Sequence, residues 1–449
     1  MTFRSVETYG AAQARRQSDV GLFDSPIETG LTFFILLFPV IGTFFPFEDY
    51  RTQQLNGQLQ TFSESTLSSG TIGFAVMLVL FSYWSLRRGH ASLVGFLRIW
   101  PLWGFTLYAL LASSWAEAPG ISLNRGGRMA IMILAASYLV QRHPLKKLIA
   151  MLTIALFVSA CLSIAVAVFV PSLGVTFGYS AYSGAWRGAF DQKNNLGAMA
   201  SIAIIVSAYS FRIKANPVIA LPTILACALL SVTARSATSA IATVVSGLVA
   251  SYLIQFVRVR RPQDKITLAA IGLILVMGSM SLVYFAGDLL NSIGRDSTFT
   301  GRDTIWALVR VAIDQRPIWG YGLGFWQSSS GILAEIWNAL RWDAPEAHNT
   351  WLDAWLQLGL VGLLWLISLW LLAAKDIIVL LLSTRVEAVV FWAAILVDIL
   401  VRSFTETLTI DPGIQWMFWF ALAFASIQKL RAEYHAAPSD RYSFSAPTR

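Results

Sequence analysis

Four of the 449 residues are histidines, and their neighbours separate them. His90, His143 and His435 fall among arginine and lysine residues and read as solvated or headgroup-facing side chains. His348 stands apart, in Glu346-Ala347-His348-Asn349-Thr350-Trp351, immediately before a long apolar run. A helix starting there disfavours the imidazolium, which keeps His348 neutral and able to accept a proton. The competing reading is a polar residue capping that helix at a membrane interface, and position alone leaves both open.

Two further clusters carry cations. Trp186-Arg187-Gly188-Ala189-Phe190-Asp191-Gln192-Lys193-Asn194-Asn195-Leu196-Gly197 leads into an apolar run, with Arg187 and Lys193 at its entrance. Cations beside free backbone N–H groups at a helix start suit an anion. Snorkelling of Arg and Lys to lipid headgroups is the alternative, although it leaves the adjacent glycines and amides unexplained. The second cluster, Thr300-Gly301-Arg302-Asp303-Thr304-Ile305-Trp306, opens an amphipathic helix that ends before Pro317. At about 100° per residue, Ile305, Trp306, Leu308, Val309, Ala312 and Ile313 form one apolar stripe. Arg302 lies inside that stripe, whereas Asp303, Arg310 and Asp314 lie on the polar side. An arginine on a packing face needs an anion or a partner. A bound anion is one answer, and an ion pair with Asp343 or Glu346 is the other. The Gly320-Tyr321-Gly322-Leu323-Gly324 run lacks the spacing of a nucleotide loop and reads as a turn.

Absences narrow the chemistry. No acidic pair has the D/E-x-D/E spacing, no GxSxG or Walker pattern occurs, and His and Cys are too sparse near His348 to ligate zinc. No metal site and no cofactor are expected. A neutral base with nearby cations suits sugar transfer from a lipid diphosphate. The cations Arg187, Lys193 and Arg302 would hold the leaving diphosphate, and His348 would take the proton of the acceptor hydroxyl.

The elements that must position these groups are membrane spans. Residues of the AVILMFWYC set make up 56% of the chain and charged residues 13%, with a mean hydropathy of +0.61. A soluble chain of this size needs roughly a quarter of its residues charged. The composition therefore excludes a soluble multidomain protein, a disordered chain, a disulfide scaffold and a nucleic-acid-binding module. Cys161 and Cys227, both in apolar runs, read as small core residues. At roughly 20 apolar residues per span, twelve candidates centre near Phe34, Leu78, Leu107, Leu134, Ala160, Ile204, Leu225, Val245, Leu275, Leu363, Ala394 and Phe418. The expected fold is all-α: a polytopic membrane protein of about 12 transmembrane helices, with one large, partly helical periplasmic loop between spans 9 and 10.

With both termini cytoplasmic, 21 of the 33 lysines and arginines fall inside and the remaining 12 outside, the bias expected of inner-membrane proteins. The net charge of +8 is then mostly topology. Residues 1–28 form a cytoplasmic segment, 29–430 the transmembrane domain and 431–449 a disordered tail. The long outer loop covers about 288–347, and its Trp306, Trp319, Trp326, Trp337 and Trp342 argue for packed structure. This topology places Arg187, Lys193, Arg302 and His348 together on the periplasmic side.

At these residues the chain resembles the bacterial O-antigen ligase and polysaccharide polymerase superfamily. The resemblance rests on Arg187-Gly188-x-Phe190-x-x-Lys193-Asn194-x-Leu196-Gly197, Thr300-Gly301-Arg302-x-x-x-Trp306, Pro317-x-x-Gly320-x-Gly322-x-Gly324, His348-Asn349 and Leu358-Gly359-Leu360-Val361-Gly362-Leu363. It covers about residues 100–370. The first stretch looks most like the branch that polymerises exopolysaccharides such as succinoglycan, although Gln192 stands where much of that branch has histidine. The resemblance implies an inverting, metal-independent membrane glycosyltransferase in the bacterial inner membrane. The donor would be a glycan on undecaprenyl diphosphate and the acceptor a second glycan. By this resemblance Arg187 and Arg302 bind the diphosphate and His348 is catalytic, with Asn194, Asn349 and Arg310 as supporting residues. A ligase acting on lipid A core or another acceptor is the alternative, and a flippase a more distant one. Membrane lipids and other assembly proteins, such as a chain-length regulator and a flippase, are the implied neighbours; nucleic acid is not.

Overall fold

A computed structural model describes residues 26–41, 90–177, 183–190, 192–259, 302–383, 387–408 and 414–436, with scattered positions over 261–268. The described residues are helical and irregular throughout, apart from one isolated bridge between Val175 and Trp186. Helices α1 (Pro26–Ile41), α2 (His90–Leu97), α3 (Trp100–Leu111), α4 (Pro119–Arg142) and α5 (Leu145–Phe169) come first. Then follow α6 (Lys193–Arg212), α7 (Pro217–Thr233), α8 (Ala237–Arg258), α9 (Arg302–Gln315) and α10 (Gly331–Leu340). The last three are α11 (Thr350–Ser383), α12 (Glu387–Ser403) and α13 (Ile414–Ala436).

Ten of the twelve expected spans coincide with helices, while those near Leu78 and Leu275 lie outside the described residues. By length and composition, four helices are able to cross a membrane: α5, α6, α8 and α11. The chain is therefore a multi-pass membrane protein. Among the described residues the other helices are shorter or more polar. Helix α1 starts at Pro26, and α13 runs to Ala436.

Helix α6 is the hub. It packs against α5, α7, α8 and α12, while α4 lies along α13. Close approach at the hub uses small residues. A Cβ on Gly197 would sit 2.5 Å from Ser239 Oγ of α8, so only glycine fits. Across this interface runs a buried polar chain. Arg402 Nε donates to Asp398 Oδ2 at 2.8 Å and Arg402 Nη1 to Ser239 Oγ at 2.6 Å. Ser201 donates to Asp398 and receives from Thr243 at 2.7 Å. Both charges are essentially buried, at 1% and 0% side-chain exposure. In lipid, a pair so enclosed is tolerated because each charge supplies the other's partner. Other residues depart from expectation. Cys161 is exposed on α5 rather than in the core. His143 is buried with Nε2 3.3 Å from Thr32 Oγ1, because α1 packs over the end of α4 where solvent was expected.

The Leu358-Gly359-Leu360 motif does not lie within a continuous span. At Gly359 φ is +67°, which breaks α11 into a short first part and a long second part. The break frees backbone groups, and the glycine-rich turn satisfies them. Tyr321 N–H donates to Leu356 O (3.0 Å), Gly322 N–H to Gln357 O (2.7 Å) and Leu360 N–H to Pro317 O (2.8 Å). Gly324 N–H donates to Gln357 Oε1 at 2.8 Å. Irregular backbone near lipid requires this full accounting. A Cβ on Gly320 would fall 2.5 Å from Gly359 N, so the two backbones touch where side chains would keep them apart.

The long loop is packed, as its tryptophans suggested. Ile305, Val309, Ala312 and Ile313 of α9 meet Tyr321, Phe325, Trp326, Leu333 and Ile336 in a second small core. Trp326 is buried and donates to Asp353 Oδ1 at 2.7 Å. Trp319 and Trp342 instead stay exposed.

Candidate active site

Asn349, and not His348, caps α11. Its Oδ1 accepts from the backbone N–H groups of Trp351 (3.0 Å) and Leu352 (3.1 Å), and its Nδ2 donates to Phe404 O (3.3 Å). Of the two readings of His348, capping thus belongs to its neighbour. His348 itself has φ +51°, a left-handed conformation that disfavours a non-glycine residue by about 1–2 kcal/mol. The segment before it is anchored by Trp306, whose Nε1–H donates to Ala347 O at 3.0 Å. A strained residue held by its surroundings is a common mark of a working site.

Two carboxylates face the imidazole. Glu346 Oε1 lies 2.7 Å from His348 Nδ1 and Glu406 Oε2 lies 3.5 Å from it, as charge contacts rather than well-aligned hydrogen bonds. Burial opposes the imidazolium, but the negative charges of Glu346 and then Glu406 outweigh it and raise the His348 pKa to about 10. Burial pushes the Glu346 carboxyl well above its ordinary range, with His348 pulling the other way. The expectation of a neutral imidazole is therefore corrected. The helix N-terminus at α11 is a weaker influence than a carboxylate in direct contact. At 2.7 Å, His348 and Glu346 titrate as a coupled pair rather than as separate groups.

Arg302 does face an anionic partner, but a different one from those expected. Its Nη2 pairs with Glu406 Oε1 at 3.2 Å, rather than with Asp343 or Glu346. Glu406 lies on the turn after α12, about a hundred residues away in sequence, and no local pattern marked it. The same Oε1 accepts from Asn194 Nδ2 at 2.9 Å. Glu406 thereby joins the start of α6, the start of α9 and the His348 segment. Lys193 feels the charges of Glu406 and Arg302, and its Nζ donates to Arg235 O at 3.3 Å.

Arg187 and Arg310 have other surroundings. Arg187 Nε donates to Leu173 O at 2.7 Å, and its Nη2 reaches Ser172 O at 3.5 Å. It ties down the one-turn helix Pro171–Gly174, whose terminal carbonyls need donors. Arg310 is exposed on the polar side of α9, to one side of the stripe that carries Arg302.

Glu346 and Glu406 open onto a small cleft of about 20 Å³, also lined by Gln192, Asn194, Arg402 and Trp416. Ligand atoms of Glu346, His348 and Glu406 all lie within 4.8 Å of one another, a set that could hold a metal ion. No spacing in the sequence marks this set, because Glu406 is distant from Glu346 and His348 along the chain. Its carboxylates already face cations, however: the guanidinium of Arg302 on Glu406 and the imidazolium of His348 on Glu346. The arrangement suits an anionic ligand with a proton acceptor beside it.

The O-antigen ligase family model matches residues 222–367, a stretch containing Arg302, Trp306, the glycine turn, Glu346, His348 and Asn349. The chain is also 27% identical over 331 residues to the exopolysaccharide production protein ExoQ of Rhizobium meliloti (strain 1021), covering 66% of this chain and 73% of that protein. The resemblance to the O-antigen ligase family thus holds, together with a distant relationship to an exopolysaccharide production protein.

Proposed function

We propose that the protein polymerises lipid-linked oligosaccharide repeat units into exopolysaccharide at the periplasmic face of the inner membrane. The observation that carries this reading is the convergence of Arg302, Asn194, Lys193, Glu406 and the His348–Glu346 pair beside one cleft. The lysine and arginine bias supports the orientation with both termini inside and about twelve spans.

In the proposed step an acceptor hydroxyl oxygen attacks the anomeric carbon of the donor sugar. The bond from that carbon to the diphosphate oxygen breaks, and the configuration inverts. Undecaprenyl diphosphate leaves as an anion, held by Arg302, Lys193 and the amide of Asn194. The acceptor proton passes to the His348–Glu346 pair, so atoms and charges balance without a metal. Each preorganised donor on the leaving group contributes about 3 kcal/mol, and a positioned base contributes roughly 10²–10⁴-fold. Arg187, bound to loop carbonyls, shapes the entrance to α6 instead of holding phosphate.

A ligase is the second reading, favoured by the description of the matching family. Glycolipid analysis of a deletion strain separates the two. Single repeat units left on the lipid carrier support polymerisation. Full-length chains left there support ligation and overturn the first reading.

A further inference from the structure

We propose that Glu406 and the donor's diphosphate compete for the same two hydrogen-bond donors, so that donor binding displaces the Glu406 carboxylate. This rests on the donor reading above and adds a residue that reading does not require.

The geometry is that of an anion site filled from within. A single oxygen of Glu406 takes both the Arg302 guanidinium (3.2 Å) and the Asn194 amide (2.9 Å). Lys193 feels the same carboxylate, and the second oxygen lies 3.5 Å from His348 Nδ1. A carboxylate and a phosphate present similar acceptor oxygens, and guanidinium groups bind either. The Glu406 backbone is fixed on both sides. Its N–H donates to Arg402 O at 2.8 Å, and its carbonyl accepts from Thr350 Oγ1 at 2.8 Å. Exchange therefore begins with rotation of the Glu406 side chain, which borders the cleft, on a backbone that stays fixed.

The exchange has a use. While paired, Glu406 holds the Arg302 guanidinium and the Asn194 amide together on one oxygen, side by side for an incoming anion. When a diphosphate takes them, the freed carboxylate still neighbours His348 and favours its protonated form. Departure of the product lets Glu406 return, which works against retention of the lipid diphosphate. Glu406 is in this sense a positioning residue that trades donor affinity for turnover.

The test is binding of undecaprenyl diphosphate to the purified full-length protein in nanodiscs, with Glu406→Gln, Glu406→Ala, Glu346→Gln and Arg302→Ala beside the unmodified chain. Glu406→Gln keeps shape and an acceptor oxygen but removes the charge. It should bind the lipid five- to tenfold more tightly, with KM for the lipid-linked donor lowered and kcat not raised. Glu406→Ala should also tighten binding, and it serves if the glutamine variant does not accumulate. Glu346→Gln should change affinity less, because its partner His348 gives up its proton in compensation. Arg302→Ala should bind at least tenfold more weakly. Equal or weaker binding by both Glu406 variants, with the unmodified protein binding well, overturns the competition and leaves Glu406 a structural partner of Arg302. Absence of binding by the unmodified protein overturns the donor reading itself, and the competition with it.

Discussion

Replacing Glu346 by glutamine should release the proton that His348 holds. Glu346 Oε1 lies 2.7 Å from His348 Nδ1, which puts the two charge centres about 4 Å apart. At an effective dielectric near 20 that contact is worth about 4 kcal/mol. At 1.36 kcal/mol per pKa unit this is about three units. The His348 pKa should fall from about 10 to near neutrality, with Glu406 still supporting the charge and burial still opposing it. Diethyl pyrocarbonate modifies only neutral imidazole, and mass spectrometry of the His348 peptide reads the titration. The exposed His435 serves as an internal reference. The unmodified protein should resist the reagent at neutral pH and become reactive only in the alkaline range. Glu346→Gln should react near neutrality, while Glu346→Asp, which keeps the charge, should stay close to the original. A reactive His348 at neutral pH in the unmodified protein, or one midpoint shared by all three, would refute the charge-pair reasoning. The same shift affects stability. The folded pKa exceeds the unfolded value of about 6.5, so His348 contributes fully below that pH and the contribution is lost as pH rises through about 10.

Other outcomes follow from the geometry. His348→Ala and Arg302→Ala should each abolish glycan chain growth while the protein still inserts and accumulates; normal-length polymer on gels of either strain would remove that residue from the mechanism. Lys193→Ala should weaken binding of undecaprenyl diphosphate about tenfold, equal to about 1.4 kcal/mol, whereas Arg187→Ala should lower thermal stability and leave binding within a factor of two or so, as titration of the purified variants will show. Asp398→Ala should destabilise the protein by about 3–5 kcal/mol because Arg402 is left charged and buried, and replacing both residues by leucine should recover much of that loss in a melting assay.

The sequence made some parts of this structure readable and hid others for identifiable reasons. Apolar runs are long-range averages over twenty residues, so ten of twelve fall on helices even where a single boundary moves. His348 and Arg302 stood out because each violated its local pattern, the one as an isolated polar group before a span and the other as a charge on a packing face. Glu406 violated nothing. It sits in a short polar turn, and its importance comes from meeting Asn194, Arg302 and His348, which are distant along the chain. Arg187 shows a related limit: a cation beside a helix start is visible in sequence, whereas its contacts with the carbonyls of Leu173 and Ser172 are not. The protonation state of His348 was misjudged for a related reason: the helix start is visible in sequence, whereas two converging carboxylates are not.

The contact between Gly320 and Gly359 governs where this protein can be lengthened. Surface loops ordinarily absorb extra residues with little penalty. Between Pro317 and Gly324, however, successive N–H and C=O groups are keyed to Leu356, Gln357 and Leu360. One inserted residue there would slide the whole set out of register and leave the interruption of α11 without partners. Ser329, exposed between the Phe325–Gln327 turn and α10, has no such register to keep. An epitope or fluorophore placed at Ser329 would show which side of the membrane this loop occupies without unseating the helix that follows His348 and Asn349.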